Sequence, residues 1–353
     1  MSATSKQEQG QSPTDERLRE IHDQLTHAVE ALTTGDEWRR ALAFAARFRT
    51  RSFNNTLLIW AQHATAFEAG LVPEPSPTFV AGFRQWQQLG HQVLKGQHGY
   101  AILAPITATL ATRTPNDPDS WRRLRRGEKP RAGEVSRVSV VGFRPAFVWD
   151  ASQTSGPPVP EQKVPQLLTG EAPAGLWDEL ARLIAEDGYT LSLVPDAASL
   201  GGANGMTNFT ARTVKVRGDL DPAARVKTLT HELAHIRMHG PDHAALAHRG
   251  IGEVEAESVA LMVGAAQGMD TSIYTIPYVS SWATEVGGKT PSEVVQETGE
   301  RVRRVASRIL DSLAIASDPS GPPAPIPRRD TRFSAAPVAP CGQAVDSIER
   351  GMS

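Results

Sequence analysis

His231, Glu232 and His235 form an H-E-x-x-H pattern inside Val226 to Met238, a stretch with neither proline nor glycine. The spacing has chemical meaning only on a helix. Residues four apart then share a face, so both imidazoles reach one metal ion and Glu232 can reach a water beside it. Asp221-Pro222 supplies the start of such a helix, with Asp as cap and proline at the first helical position, where its missing N–H costs nothing. Two ligands and a general base within one and a half turns are most of what zinc-assisted hydrolysis requires.

A catalytic zinc takes a third protein ligand and leaves its fourth position to water. The extended pattern with a third histidine close by is absent: Met238 and Pro241 stand where its glycine and histidine belong. The third ligand is therefore expected on the next helix, which carries Glu253, Glu255 and Glu257. At about 100° per residue, Glu253 and Glu257 share a face and Glu255 points away. Glu253 is read as the ligand, and Glu257 as the carboxylate that accepts the outer N–H of a ligand histidine. Glu255 remains the alternative ligand. Tyr274, Tyr278 and His239 are candidates for steadying an oxyanion. The alternating Thr207–Arg217 stretch reads as a strand that an extended peptide could join.

Composition narrows the setting. A chain of 353 residues, 40% of them hydrophobic, can build two domains. Its single cysteine, Cys341, excludes an intrachain disulfide framework and leaves no cysteine-based metal site to expect. The N-terminus lacks a hydrophobic signal region, and the apolar run Val259–Ala266 is too short to cross a bilayer, so a cytoplasmic protein without a membrane partner is expected. Charge is uneven. Asp36 to Trp149 carries sixteen Lys/Arg against eight Asp/Glu, whereas Asp150 to Ala316 is acidic. A basic N-terminal half suits a polyanion.

The pattern along the chain predicts an α+β fold. Residues 1–13 and 317–353 are read as disordered, 14–154 as a mixed helix and sheet domain with a basic insertion near 113–134, 155–173 as a proline-rich linker, and 174–316 as a second domain. Leu18, Ile21, Leu25, Val29 and Leu32 recur at helical spacing; Phe79–Leu89 also reads as a helix. Gln92–Pro105 reads as a strand pair around a Lys95-Gly96 turn. Single-stranded nucleic acid wants a positive groove with aromatic faces. Arg47, Arg49, Arg51, Arg84, Lys95 and Tyr100 interleave charge and rings in that way, while Trp60 and Trp86 sit in apolar helical patterns and read as core.

Several of these blocks together resemble the ArdC-type antirestriction proteins. They are Thr230-His231-Glu232-Leu233-Ala234-His235, Glu253-x-x-Ala256-Glu257, Tyr278-x-x-Ser281-Trp282, the Ser52–Trp60 segment, the Phe83–Gly99 segment and Phe147-Val148-Trp149-Asp150-x-x-Gln153-Thr154. The resemblance runs from about Trp38 to Leu310, with the Arg113–Glu134 segment and the C-terminal tail as departures. It implies an N-terminal single-stranded-DNA-binding domain, a zincin-like metallopeptidase domain akin to the ImmA/IrrE-type peptidases, and a role on mobile elements in protecting incoming DNA from restriction. Two other readings stay open. One is a regulatory zinc protease whose N-terminal half binds a protein target; the other is a DNA-binding protein with a non-catalytic zinc site.

Overall fold

The computed structural model describes residues 13–32, 34–159, 170–240, 249–270, 274, 282–284 and 288–317. The expected disordered ends, most of the expected linker, and Tyr278 and Ser281 lie outside the described residues.

The fold is α+β. Helices α1 (Pro13–Glu30), α2 (Gly35–Arg47) and α3 (Phe53–Glu68) come first. In α1, Ile21, Leu25 and Val29 are buried, as their spacing requires. A capping box starts α2: Thr34 accepts from the Glu37 amide and Glu37 from the Thr34 amide. Strand β1 (Val80–Gly82) leads into α4 (Phe83–Gln88). The Phe79–Leu89 segment is thus a strand followed by a short helix, because Val80–Gly82 pairs antiparallel with the end of β5 (Val135–Asp150).

The region around Lys95-Gly96 also differs from its expectation. Strand β2 (Gln92–Val93) pairs with β6 (Thr154–Ser155), and Leu94 N–H donates to Gln153 O. The long strand β3 starts only at Tyr100 and runs to Thr112. Hydrogen bonds from distant residues therefore override local pairing there. The larger sheet has the order β1-β5-β3-β4, with β4 at Arg122–Arg123.

After Ser155 come α5 (Leu176–Glu186) and a three-stranded sheet of order β7-β9-β8, made from β7 (Thr190–Val194), β8 (Gly205–Asn208) and β9 (Thr213–Arg217). The stretch read as one strand over Thr207–Arg217 is two antiparallel strands, turned where Arg212 adopts φ +50°. Helices α6 (Pro222–Met238), α7 (Arg249–Ala266) and α8 (Pro291–Ser317) complete the order. No helix among the described residues is long and apolar enough to cross a membrane.

The chain divides into two compact units. The first, residues 13–103 and 145–317 as described, holds a small apolar cluster around Phe44, Ile59 and Val148 and a large apolar core. Ile21, Trp38, Leu42, Phe53 and Leu57 from α1–α3 share it with Leu180, Leu229, Leu233, Val259 and Ile309 from the later helices. Trp38 Nε1–H donates to Ser258 Oγ on α7 at 2.9 Å. Trp86 is fully buried, and Trp60 packs against the core while partly exposed.

The second unit, residues 104–144, is an arm made of parts of β3 and β5 and the short β4. Leu124 is buried and its N–H donates to Thr109 O; Arg122 bridges Glu128 and Glu134; the Arg137 guanidinium lies 4.0 Å from the Trp121 ring centroid. The basic segment near 113–134 is therefore structured, not a plain loop.

Candidate metal centre

Asp221 caps α6 by accepting from the Ala224 amide at 2.8 Å, with Pro222 in the first turn. On the helix that follows, Leu229, Leu233 and Ala234 are buried in the core, which fixes the rotation of α6 and turns His231 and His235 towards α7. The two Nε2 atoms lie 3.0 Å apart. Glu253, from the first turns of α7, brings one carboxylate oxygen 3.3 Å from His231 Nε2 and the other 3.6 Å from His235 Nε2. Ligand atoms of these three residues all lie within 4.8 Å of one another, the one such group among the described residues.

Two donors bound at about 2.05 Å to one tetrahedral centre would be roughly 3.3 Å apart. The three separations bracket that value, and two imidazoles with a carboxylate are a donor set suited to zinc, so the residues fit a divalent cation.

The carboxylates around this group divide the work. Glu257 Oε2 lies 3.3 Å from His231 Nδ1, and its Oε1 is 2.7 Å from Lys227 Nζ. Burial opposes the charge on Glu257, but its bonds to His231 and Lys227 hold its carboxyl below the ordinary range. For His231, burial favours the neutral ring, yet the bonds to Glu253 and Glu257 outweigh it and raise the imidazole to about 9. The same contacts, led by His231, hold the Glu253 carboxyl well below the usual carboxylate range. Glu255 faces elsewhere: its oxygens meet His239 Nε2 at 2.9 Å and Arg301, so the alternative ligand is not part of the group. Helical geometry is the reason, since two residues on from Glu253 the side chain points to the other side of α7.

Glu232 is 5% exposed, and Thr207 Oγ1–H donates to its Oε2 at 2.6 Å. Thr207 lies on β8, an edge strand of its sheet among the described residues. Glu232, His231, His235 and Glu253 line a cleft of about 630 Å³ together with Gly205, Met206, Thr207 and Phe209. Gly205 is there because no side chain fits: a Cβ would stand 2.5 Å from Glu232 Oε1 and 2.7 Å from Thr228 Cγ2. Gly205→Ala is expected to cost about 1–3 kcal/mol and to push Glu232 aside. Denaturant unfolding checks it, and an unchanged midpoint would mean the contact is not rigid.

The oxyanion candidates come out differently. Both ring nitrogens of His239 are engaged, one by His235 and one by Glu255. Tyr274 is 4% exposed, with Lys227 Nζ 4.5 Å from its ring centroid; burial, then the charge of Glu257, pushes its hydroxyl pKa up. Of the two, His239 lines the cleft and Tyr274 does not.

Residues 15–140 match the family model for the N-terminal domain of anti-restriction factor ArdC. Over those residues the chain is similar to that domain. An uncharacterized Bacillus anthracis protein, pXO2-81, is 23% identical over 322 residues, covering 84% of this chain and 51% of that relative; the chain thus spans about half its length. The crystal structure of the antirestriction ArdC protein from the R388 plasmid, metal-free, superposes with a TM-score of 0.43 at 19% identity, over 74% of this chain and 85% of that one. The Mn(II)-bound structure of the same protein gives 0.39 at 18%, over 74% and 88%.

Within residues 15–140 the nucleic-acid candidates separate. Tyr100 is 3% exposed and its hydroxyl lies 2.8 Å from His63 Nδ1, so it offers no face for base stacking. Arg51 donates to Val80 O, and burial lowers its pKa. Arg49 pairs with Asp311 on α8. Arg47, Arg84 and Lys95 remain exposed. Periodicity could not have separated these, because each partner is distant in sequence.

Proposed function

We propose that this protein is a metal-dependent peptidase-type hydrolase joined to a nucleic-acid-binding ArdC-type domain, acting in antirestriction. One observation carries the hydrolase reading: His231, His235 and Glu253 bring their ligand atoms within 4.8 Å on the wall of a cleft that also holds Glu232. His231, His235 and Glu253 would hold the metal, with zinc as the fitting ion. A bound cation supplies Lewis acidity and lowers the pKa of water nearby.

The chain's own residues do the rest. Glu232, buried and oriented by Thr207, takes the proton from the attacking water and returns it to the leaving nitrogen. An extended peptide can add to the open edge of β8, where Gly205 and Thr207 place its backbone alongside Glu232. Lys227 and Glu257 steady His231 through its outer nitrogen. The test is metal analysis of the purified chain with peptide cleavage measured on the same sample; a chain without bound metal that still cleaves would overturn this reading.

A second observation favours nucleic acid as partner. The arm, residues 104–144, holds nine Lys/Arg against four Asp/Glu. Its two glutamates are engaged by Arg122. Arg113, Arg123, Arg125, Arg126, Lys129 and Arg144 are exposed and in no ion pair among the described residues. Exposed Phe143 in the same unit adds a ring face. Each phosphate contact releases counterions, so affinity falls with salt at a log–log slope of about 0.7 per contact for single strands. Replacing Arg123, Arg125 and Arg126 by Glu is expected to lower that slope by about 2, measured by fluorescence anisotropy with labelled single-stranded oligonucleotides. An unchanged slope would place the DNA elsewhere, for instance at Arg47, Arg84 and Lys95, and binding insensitive to salt would overturn the nucleic-acid reading.

A further inference from the structure

Helix α6 does not end its chemistry at His235. His239 follows one turn later, with its Nδ1 3.0 Å from His235 Nδ1. The other ring nitrogen of His239, Nε2, lies 2.9 Å from Glu255 Oε2 on α7. The second oxygen of Glu255 accepts from Arg301 Nε at 2.6 Å and lies 2.5 Å from Nη2, on α8. The His239 and Glu255 side chains are 6% and 3% exposed. We propose that His239, Glu255 and Arg301 are positioning residues that fix the tautomer and ring orientation of His235. Retention of metal by α6 and α7 would then depend on a residue of α8. The proposal rests on the metal-centre reading above.

The argument is one of direction. A carboxylate whose other oxygen is held by a guanidinium is an acceptor only. Nε2 of His239 must then carry the hydrogen, and in the neutral ring Nδ1 is left as an acceptor. His235 Nδ1 must in turn donate to it, which leaves His235 Nε2 with a bare lone pair. That atom is the one facing His231 Nε2 and Glu253. Every bond in the chain from Arg301 to His235 is satisfied in one sense only, and that sense is the one a metal needs. His231 is served by a shorter version of the same device, Glu257 with its outer oxygen on Lys227. The extra imidazole in the His235 branch spans the distance to α8. On its adjacent face, α8 grips the N-terminal helices: Glu300 accepts from the Phe53 amide, and Arg303 donates to Arg49 O.

The test uses the full-length chain, zinc, and a chromophoric chelator as competitor. Glu255→Gln keeps the shape but presents an amide that can donate to His239 and reverse the sense of the chain. It is expected to weaken zinc binding roughly 10- to 100-fold, the usual cost of losing an outer partner of a ligand histidine. Packing alone would not move a second readout, the nitrogen-15 spectrum of labelled histidine in the zinc-loaded chain. There the wild type should show His239 protonated at Nε2, assigned by its loss in His239→Gln, and Glu255→Gln should shift that signal to the other tautomer. Affinity within twofold of wild type with an unchanged tautomer overturns the proposal. Should Glu255→Gln fail to fold, Arg301→Ala replaces it, since that side chain is 40% exposed. Weakened zinc binding restored by Arg301→Lys supports the relay, and unweakened binding overturns it. A wild type that binds no zinc, like His231→Ala, would instead overturn the metal reading beneath it.

Discussion

His235→Ala is expected to bring bound divalent metal from about one ion per chain down to background, with the chain still folded. Structural zinc sites with four ligands are worth roughly 10–16 kcal/mol at neutral pH, or about 3 kcal/mol per ligand, so losing one ligand costs roughly two powers of ten in Kd. This site has three protein donors, so two that remain do not hold the ion through purification. Removing His235 also breaks its contact with His239 Nδ1. Glu253→Ala should behave in the same way, since Glu253 supplies the third donor of the group.

The pH dependence has a definite sign. Burial opposes it, but Glu253 and Glu257 hold His231 protonated up to about 9. Metal requires the neutral ring, so a proton competes with it, and apparent affinity should rise by up to about tenfold per pH unit through neutrality and level off above about 9. The metal-free fold behaves oppositely. The raised pKa means that the contribution of His231 to stability is full below about 6.5 and is lost as pH rises through about 9. Chelator competition and thermal unfolding across this range check both limbs. Metal retained by His235→Ala, or affinity flat with pH, would place the ion elsewhere.

Glu232→Gln should separate binding from chemistry. The amide fits the same buried position and its oxygen can still accept from Thr207, so metal content and stability are expected to stay near wild type. Peptide cleavage is expected to fall by roughly 10²–10⁴, the range for a lost general acid–base group. A parallel measurement of restriction protection in cells decides what the centre is for. If protection persists while cleavage is lost, the hydrolytic centre serves another purpose and the basic arm carries the protection. If cleavage itself persists, Glu232 is not the base.

Much of the centre was legible because its logic is local. H-E-x-x-H has one useful geometry, a helix, and Asp221-Pro222 marks where that helix begins. The phase of α7 follows from 100° per residue, which groups Glu253 with Glu257 and sends Glu255 the other way. What could not be read was anything that depends on which distant residue arrives. Tyr100 sits among charged and aromatic neighbours in the sequence, and only the fold shows it packed against His63. The Thr207–Arg217 stretch has the alternation of a single strand, and only the fold shows the turn at Arg212 that brings Thr207 to Glu232.

The sequence by itself determined the H-E-x-x-H helix, its two imidazoles, the place of Glu232 between them and the carboxylate helix that follows, since each rests on spacing within a few turns. Tertiary structure alone decided what surrounds them: Gly205 pressed against Glu232, Lys227 engaging Glu257, and Arg301 reaching Glu255 and, through His239, the outer nitrogen of His235. Those contacts come from helices and strands packed on a shared core, and hydrogen-bond direction passes through space from one element to the next, which no periodicity along the chain records.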